Sequence, residues 1–220
     1  MSLLTCVYVG AYKGYGLYNL RRTYDRFIVM EPYSAAFEEL QLAFGNDSRF
    51  ELLHAAATVE HGSQVTLHIS SNDGGSSSLG KRFNPEWLAL WPPGGIDMVE
   101  KEEVFGLNVL QLLRDRGIGR VDEYVSDIQG MDLEILKTLR PMLEEKRIQR
   151  IRCEVSADQN LYEGLPDNSF RGFLDLLTPL GYELWSTGWG DLVDRQFKYG
   201  KTPETLPKGL WEFDAKWVAR

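Results

Sequence analysis

Short apolar runs alternate with amphipathic stretches along this chain, and the alternation predicts strands and helices in turn. Residues 3–9 form an apolar run rich in branched residues that ends in a glycine-rich turn, as expected of a strand buried on both faces of a parallel sheet. A second strand is predicted over Arg26–Met30, and Ser34–Phe44 carries apolar residues at the spacing of a helix. The chain is therefore predicted to open with strand, short helix, strand and helix.

The same order continues towards the end of the chain. Further strands are predicted at 50–54, 64–69, 122–128, 150–155, 182–187 and 195–199, and further helices at 104–117, 130–139, 141–146 and 170–177. A period of two at 64–69 predicts a half-buried strand on the antiparallel side of the sheet. The alternation predicts an α/β fold with a doubly wound, mostly parallel sheet, whose last two strands form an antiparallel hairpin at one edge. The tail after Gly200 has no clear pattern.

Length and composition fit one domain over 1–220, since 43% of the 220 residues are hydrophobic and 25% are charged. We expect an insertion within it at 70–103. This segment begins as a loop rich in serine and glycine and continues with Trp87, Trp91 and proline and glycine pairs. Long irregular segments of this kind are often lids or binding loops, so we predict a lid near 83–97.

Charge and targeting signals narrow the range of partners. A formal net charge of −8 argues against a nucleic-acid partner, and no apolar run or leader pattern predicts a membrane span or a signal peptide. Cys6 and Cys153 lie in predicted core strands and are interpreted as buried thiols of a reducing compartment. We expect a cytoplasmic protein without a membrane partner. Three histidines in no ligand spacing predict no zinc site.

The candidate chemistry begins at the glycine turn after the first strand. Gly10 and Gly14 allow a sharp turn and a close approach of the backbone to a ligand, and ligands bind at this edge of an open α/β sheet. Glu31 ends the second strand, where a carboxylate can hold both hydroxyls of a ribose. A tight strand-to-helix connection is the plainer interpretation of the turn alone. Together the turn and Glu31 predict a nucleoside-containing cofactor.

Several motifs, in order over roughly 7–155, resemble the FkbM family of S-adenosylmethionine-dependent methyltransferases. They are Val7-Tyr8-Val9-Gly10-Ala11-Tyr12-Lys13-Gly14 against V-D-V-G-A-N-x-G, Met30-Glu31-Pro32 against F-E-P, Ala55-Ala56-Ala57 with Gly62 against A-L-S…G, Gly75-Ser76-Ser77-Ser78-Leu79 against G-S-S-S-L, Val125 to Leu136 against K-I-D-V-E-G-A-E-x-x-V-L, and Ile151-Arg152-Cys153-Glu154-Val155 against I-x-x-E-V. The resemblance implies a Rossmann-like class I methyltransferase fold and, usually, O-methylation of a sugar or another small molecule.

The resemblance also implies which residues form the site. The cofactor-binding residues it implies are Tyr8, Gly10, Ala11, Tyr12, Gly14, Glu31, Pro32, Ala56 and Asp127. The hydroxyls of Ser76, Ser77 and Ser78 are expected to bind a polar acceptor. Plain loop structure is the alternative for these serines.

Three residues depart from the family's pattern: Tyr8 replaces its first-strand aspartate, Tyr12 replaces the asparagine of its turn, and Gln129 replaces its glutamate. Each change removes a group that can touch cofactor or substrate. Aromatic faces attract cations such as a sulfonium, so Tyr8 or Tyr12 can stand in for the missing groups. Core packing is the equal alternative for Tyr8.

Two carboxylates are the candidate catalytic residues. Asp127 follows an apolar strand and is predicted to orient the acceptor or take its proton; a helix N-cap is the alternative. Glu154 lies inside a strand, where an unpaired charge is costly to bury, so it either pairs with Arg150 or Arg152 or faces the substrate. Carboxylate oxygens are ligands of divalent cations, but two carboxylates alone do not form a ligand set, and we predict no metal.

Two other functions compete with methyl transfer. A nicotinamide-dependent oxidoreductase is disfavoured because the turn is not G-x-G-x-x-G. A protein that kept the fold and lost its chemistry is favoured by the three departures. The aromatic insertion also suits a homodimer contact.

Overall fold

The computed structural model describes residues 3–189 and 198–220. Within them the strands are β1 (Thr5–Val9), β2 (Arg26–Met30), β3 (Phe50–Leu53), β4 (Ala56–Ala57), β5 (Gln64–Ser70), β6 (Met98–Leu107), β7 (Glu123–Ser126), β8 (Arg150–Ser156), β9 (Tyr182–Gly188) and β10 (Glu212–Ala219). The helices are α1 (Leu17–Leu20), α2 (Ser34–Phe44), α3 (Pro85–Leu88), α4 (Val109–Asp115), α5 (Asp132–Thr138), α6 (Arg140–Glu144) and α7 (Phe170–Leu177).

The main sheet has seven strands in the order β3-β2-β1-β7-β8-β10-β9. The first five strands in this order, β3, β2, β1, β7 and β8, are parallel. Strand β10 is antiparallel to both of its neighbours, β8 and β9. The predicted α/β fold, with a mostly parallel sheet and an antiparallel pair at one edge, is therefore confirmed. The strand order reverses at β1, so the crevice where such sheets bind ligands lies at the carboxyl ends of β1 and β7.

Apolar side chains cover both faces of this sheet, as a doubly wound architecture requires. Alternate residues of a strand point to opposite faces, and those of β1 enter two different clusters. Val7 and Val9 join the larger cluster with α4 to α7, whereas Cys6 packs with Leu40 and Phe44 of α2. Both Cys6 and Cys153 are free and buried thiols. No helix in the described part of the chain is long and apolar enough to cross a membrane.

The strand predicted at 64–69 forms, but it does not belong to the main sheet. It forms β5 of a separate three-stranded sheet of order β4-β6-β5, where it is antiparallel to β6. Its partner β6 runs from Met98 to Leu107, so the helix predicted from residue 104 is also wrong at its start. That helix begins at Val109, after Asn108 caps it by accepting a hydrogen bond from the Gln111 N–H at 3.0 Å. A period of two identifies a half-buried strand but not its partner.

The last strand lies in the tail that the sequence left undecided. Residues 195–197 of the predicted strand lie outside the described residues, and Lys198 and Tyr199 are not in a strand. Instead β10 inserts between β8 and β9. Charged residues such as Asp214 and Lys216 alternate along β10 with buried apolar ones. The sequence of β10 therefore lacks the continuous apolar run of a buried strand.

The aromatic insertion packs onto the loop that follows β8. Phe83 and Trp87 share a cluster with Leu161 and Tyr162, and the ring centroids of Phe83 and Tyr162 are 5.3 Å apart. This cluster anchors the segment around α3 beside the crevice at the carboxyl edge of the sheet.

Candidate functional site

An open cavity lies at the carboxyl ends of β1, β2 and β7. It is lined by Gly10, Tyr12, Glu31, Pro32, Ala56, Ala57, Leu67, Gly74, Gly75, Ser77, Ser78, Leu79, Asp127, Ile128, Gln129 and Met131. Its position is the crevice that the reversal of strand order creates. Its walls are apolar on the side of the small sheet and carry carboxylates at the strand ends.

The turn after β1 requires glycine at position 10. Gly10 has φ +74°, and a Cβ there would lie 1.9 Å from the Asp127 carbonyl oxygen. The N–H groups of Gly10 and Ala11 both donate to the Met30 carbonyl, at 2.9 and 3.1 Å. The turn therefore closes directly against the ends of β2 and β7 and forms the floor between Glu31 and Asp127.

Glu31 is buried at the end of β2, with 5% of its surface exposed. Its Oε2 accepts a hydrogen bond from the Tyr12 N–H at 2.6 Å and its Oε1 one from the Tyr33 N–H at 2.9 Å. Each carboxylate oxygen keeps a further acceptor position, and the carboxylate faces the cavity. Burial raises the pKa of Glu31 to about 7, although the two backbone donors oppose this.

Tyr12 and Lys13 tie the loop after β5 to the glycine turn. The Tyr12 hydroxyl donates to the carbonyl and Oδ2 of Asp73, at 2.9 and 3.1 Å, and Lys13 Nζ lies 2.7 Å from Asp73 Oδ2. These donors hold the pKa of Asp73 below its usual range. Tyr12 itself has φ +50°, the left-handed region that asparagine or glycine adopts more easily. The tie places Gly74 and Gly75 along the cavity wall.

Asp127 and Glu154 meet at the amide of Gln129. Gln129 Nε2 donates to Asp127 Oδ1 at 2.5 Å and to Glu154 Oε2 at 2.9 Å, and Gln129 Oε1 accepts from the Tyr162 hydroxyl. Glu154 does not line the cavity, and the Gln129 amide that donates to it also donates to Asp127. No group of three or more histidine, cysteine, aspartate or glutamate side chains in the described residues could hold a metal ion.

Asp132, at the start of α5, is a further buried carboxylate. It is fully buried, and its Oδ1 accepts from Ser126 Oγ at 2.5 Å and from the Ile128 N–H at 3.1 Å. Its Oδ2 is buried without a hydrogen-bond partner. Burial raises the pKa of Asp132 to about 7.

Because its pKa is raised, the contribution of Asp132 to the free energy of unfolding depends on pH. A carboxyl group whose pKa is higher in the folded state contributes fully below its unfolded pKa and loses that contribution as the pH rises through about 7. We expect the stability of the wild type relative to Asp132→Asn to fall between pH 4 and 7, by up to about 1.4 kcal/mol per pH unit. Urea unfolding at several pH values measures this, and equal pH slopes in both proteins would contradict it.

The structure brings most of the predicted site residues to the cavity. Gly10, Tyr12, Glu31, Pro32, Ala56, Asp127, Ser77 and Ser78 line it. Five predicted residues lie elsewhere: Tyr8, Ala11, Gly14, Ser76 and Glu154. Tyr8 lines a separate cleft with Tyr15 and Arg152, because side chains alternate along β1. Ala11 is buried in the core, and Gly14 packs against Phe44 and Leu40.

Two residues that complete the site could not be recognised as site residues from the local sequence pattern. In the sequence Gln129 stands out only by its departure from a family pattern, whereas in the structure its amide joins the two carboxylates. Tyr162 lies in a loop without any motif. The aromatic cluster packs around its ring, and its hydroxyl contacts Gln129. A chain separation of 33 residues gives no local pattern from which this contact follows.

No protein-family model matches the chain, and no curated protein matches it. Solved structures similar to it include a TehB-like SAM-dependent methyltransferase from Corynebacterium glutamicum, at 10% identity and a TM-score of 0.42, over 99% of this chain and 80% of that one. Another is magnesium protoporphyrin IX methyltransferase from Synechocystis with bound SAM, at 9% identity and a TM-score of 0.45, over 100% and 71% of the two chains. Identities and TM-scores this low say nothing about the function of this chain.

Proposed function

We propose that this chain is an S-adenosylmethionine-dependent methyltransferase that methylates a hydroxyl group of a small-molecule or glycosidic acceptor, and that it is related to the FkbM family. The observation that carries the proposal is the Glu31 carboxylate, buried at the end of β2 and facing the cavity beside the Gly10 turn. A buried carboxylate at this place in a doubly wound sheet is suited to the two hydroxyls of a ribose.

The residues of the cavity fit a nucleoside. Glu31 has acceptor positions left after its two backbone hydrogen bonds, and Pro32, Ala56 and Leu67 offer apolar surface to a base. The glycine turn allows the backbone to approach the rest of the molecule. A nicotinamide dinucleotide would instead place its pyrophosphate on a G-x-G-x-x-G turn, whereas the turn here carries its glycines at positions 10, 14 and 16.

S-adenosylmethionine supplies a methyl group on a sulfonium, ready for in-line displacement. The part of this chain is to hold the acceptor and to receive its proton. Asp127, which lines the cavity, would accept the proton of the acceptor hydroxyl as that oxygen is methylated. Ser77 and Ser78 line the facing wall, but their hydroxyls donate to the Gly74 and Gln129 carbonyls, at 2.7 Å each, so their donor hydrogens hold the wall in place.

Calorimetric titration with S-adenosylhomocysteine and, separately, with NAD tests the proposal. We expect saturable binding of S-adenosylhomocysteine and none of NAD. Binding of NAD alone would replace the proposed activity by an oxidoreductase, and binding of neither would favour a protein of this fold without cofactor chemistry.

Glu31 also predicts how cofactor binding depends on pH. Its pKa is about 7 in the free protein, and ribose hydroxyls that donate to it favour the ionised form. Affinity for S-adenosylhomocysteine is therefore expected to fall as the pH drops below 7, by up to about tenfold per pH unit. Titrations between pH 5.5 and 8 check this against Glu31→Gln, which should bind weakly with no such slope. A steep slope that persists in Glu31→Gln would assign the pH dependence to another group.

A further inference from the structure

The Gln129 side chain holds two carboxylates at one amide group, the buried Glu154 and the partly exposed Asp127. Its Nε2 lies 2.5 Å from Asp127 Oδ1 and 2.9 Å from Glu154 Oε2, and all three side chains are at most partly exposed. We propose that Gln129 and Tyr162 are positioning residues that keep Asp127 ionised at the cavity wall while Glu154 behind it carries the proton. The inference rests on the proposed function only for its ligand measurement.

Tyr162 fixes which way round the Gln129 amide lies. An amide can present either its oxygen or its NH₂ group to a neighbour. The Tyr162 hydroxyl lies 3.2 Å from the Ser76 carbonyl and closer still to Gln129 Oε1; with its hydrogen on this shorter contact, the NH₂ group is left for the two carboxylates. Burial raises the pKa of Tyr162 well above its usual value, so the phenol stays protonated and remains a donor. The reversed amide would place a third oxygen against Asp127 and Glu154, and both would then need protons.

The proton belongs on Glu154 because this side chain is the more buried of the two: Glu154 is 6% exposed, whereas Asp127 is partly exposed at the cavity. Burial and the charge of Asp127 raise the pKa of Glu154 well above normal. Burial also raises the pKa of Asp127, but hydrogen bonds from Gln129 and Glu154 and the charge of Arg152 oppose the increase. The other titratable groups that act on the pair are Asp132, Glu212, Asp214 and Tyr162.

This arrangement gives a physical reason for glutamine at position 129, where the resembling family has glutamate. A glutamate there would bring a third carboxylate to within hydrogen-bond distance of two others. Like charges this close in a buried site cannot all ionise, so a second proton or a cation would be needed. The neutral amide supplies two donor hydrogens instead, and one carboxylate can then keep its charge.

The first measurement needs no ligand. We expect carbon-13 NMR titration of the carboxyl groups in the free protein, assigned with Asp127→Asn and Glu154→Gln, to show Asp127 ionised and Glu154 protonated at pH 7. In Tyr162→Phe the apparent pKa of Asp127 should rise by at least about one unit, since the amide loses its orienting donor. Tyr182→Phe is the matched control, because the Tyr182 hydroxyl also donates to a buried acceptor, the Ile148 carbonyl, at 2.7 Å. An ionised Glu154 beside a protonated Asp127, or equal effects of the two tyrosine variants, would overturn the inference.

The second measurement uses the charge of the sulfonium. An ionised Asp127 favours S-adenosylmethionine over the uncharged sulfur of S-adenosylhomocysteine. We expect Asp127→Asn to lower the ratio of the two affinities about tenfold. Glu154→Gln, which mimics the protonated acid, should keep the ratio within about twofold of wild type. A ratio that falls equally in both variants would contradict the inference.

The two measurements separate this inference from the proposed function. If the NMR titration gives the expected protonation states but neither ligand binds, the proposed cofactor is wrong and the positioning role of Gln129 and Tyr162 stands. If both ligands bind well but Asp127 is protonated at pH 7 in the free protein, the positioning role is wrong and the cofactor assignment stands.

Discussion

Gly10→Ala is expected to lower the free energy of unfolding by at least about 3 kcal/mol, and so to leave little folded protein. Two costs add. The residue has φ +74°, where a side chain is strained, and the new Cβ would lie 1.9 Å from the Asp127 carbonyl oxygen. That oxygen belongs to backbone, so relief requires the end of β7 to move away from the turn. The same movement would widen the floor of the proposed cofactor site.

Gly117→Ala is the matched control for this prediction. Gly117 also has a positive φ, +63°, but a Cβ there would meet nothing within 4 Å. Its substitution should therefore cost only the backbone strain, about 1–2 kcal/mol. Urea unfolding of both variants gives the comparison. If the two lose equal stability, the close contact between the glycine turn and β7 is not what determines position 10.

Glu31→Ala is expected to weaken binding of S-adenosylhomocysteine by about 1.5–3 kcal/mol, or roughly 10- to 150-fold. The variant removes the carboxylate that faces the cavity and leaves the N–H groups of Tyr12 and Tyr33 without their acceptor. Calorimetry measures the loss. Glu102→Gln is the control, because Glu102 accepts hydrogen bonds from Ser34 nearby but does not line the cavity, and it should bind normally.

Truncated ligands show whether Glu31 acts through the ribose. In the wild type, adenosine should bind better than 2′,3′-dideoxyadenosine, which lacks both hydroxyls. In Glu31→Ala the two nucleosides should bind equally, since the acceptor for those hydroxyls is gone. An unchanged preference for adenosine in the variant would place the ribose elsewhere in the cavity and remove Glu31 from the contact.

The local sequence predicts those strands and helices whose hydrophobic pattern matches their position in the fold. The apolar strand β2 ends in Glu31, and α2 repeats apolar residues at helical spacing from Ser34 to Phe44 as observed. The sequence predicts that the glycine turn and Glu31 are neighbours, because both lie at strand ends that share one edge of the sheet. Their meeting follows from parallel pairing of β1 and β2, which the alternation of elements implied.

Features that depend on distant partners could not be obtained this way. The strand β10 carries Glu212, Asp214 and Lys216 on one face, and only its place between β8 and β9 makes such a strand stable. Likewise, the role of Gln129 depends on Glu154 and Tyr162, which come 25 and 33 residues later. Pattern analysis recognises a strand or a turn, but it does not reveal which side chains the folded chain brings together.

A crystal structure of the protein with S-adenosylhomocysteine tests the central claim most directly. The claim predicts a nucleoside in the cavity at the ends of β1, β2 and β7, with both ribose hydroxyls within hydrogen-bond distance of the Glu31 carboxylate. A cavity closed by the Tyr12 ring, or a ligand bound away from Glu31, would contradict it.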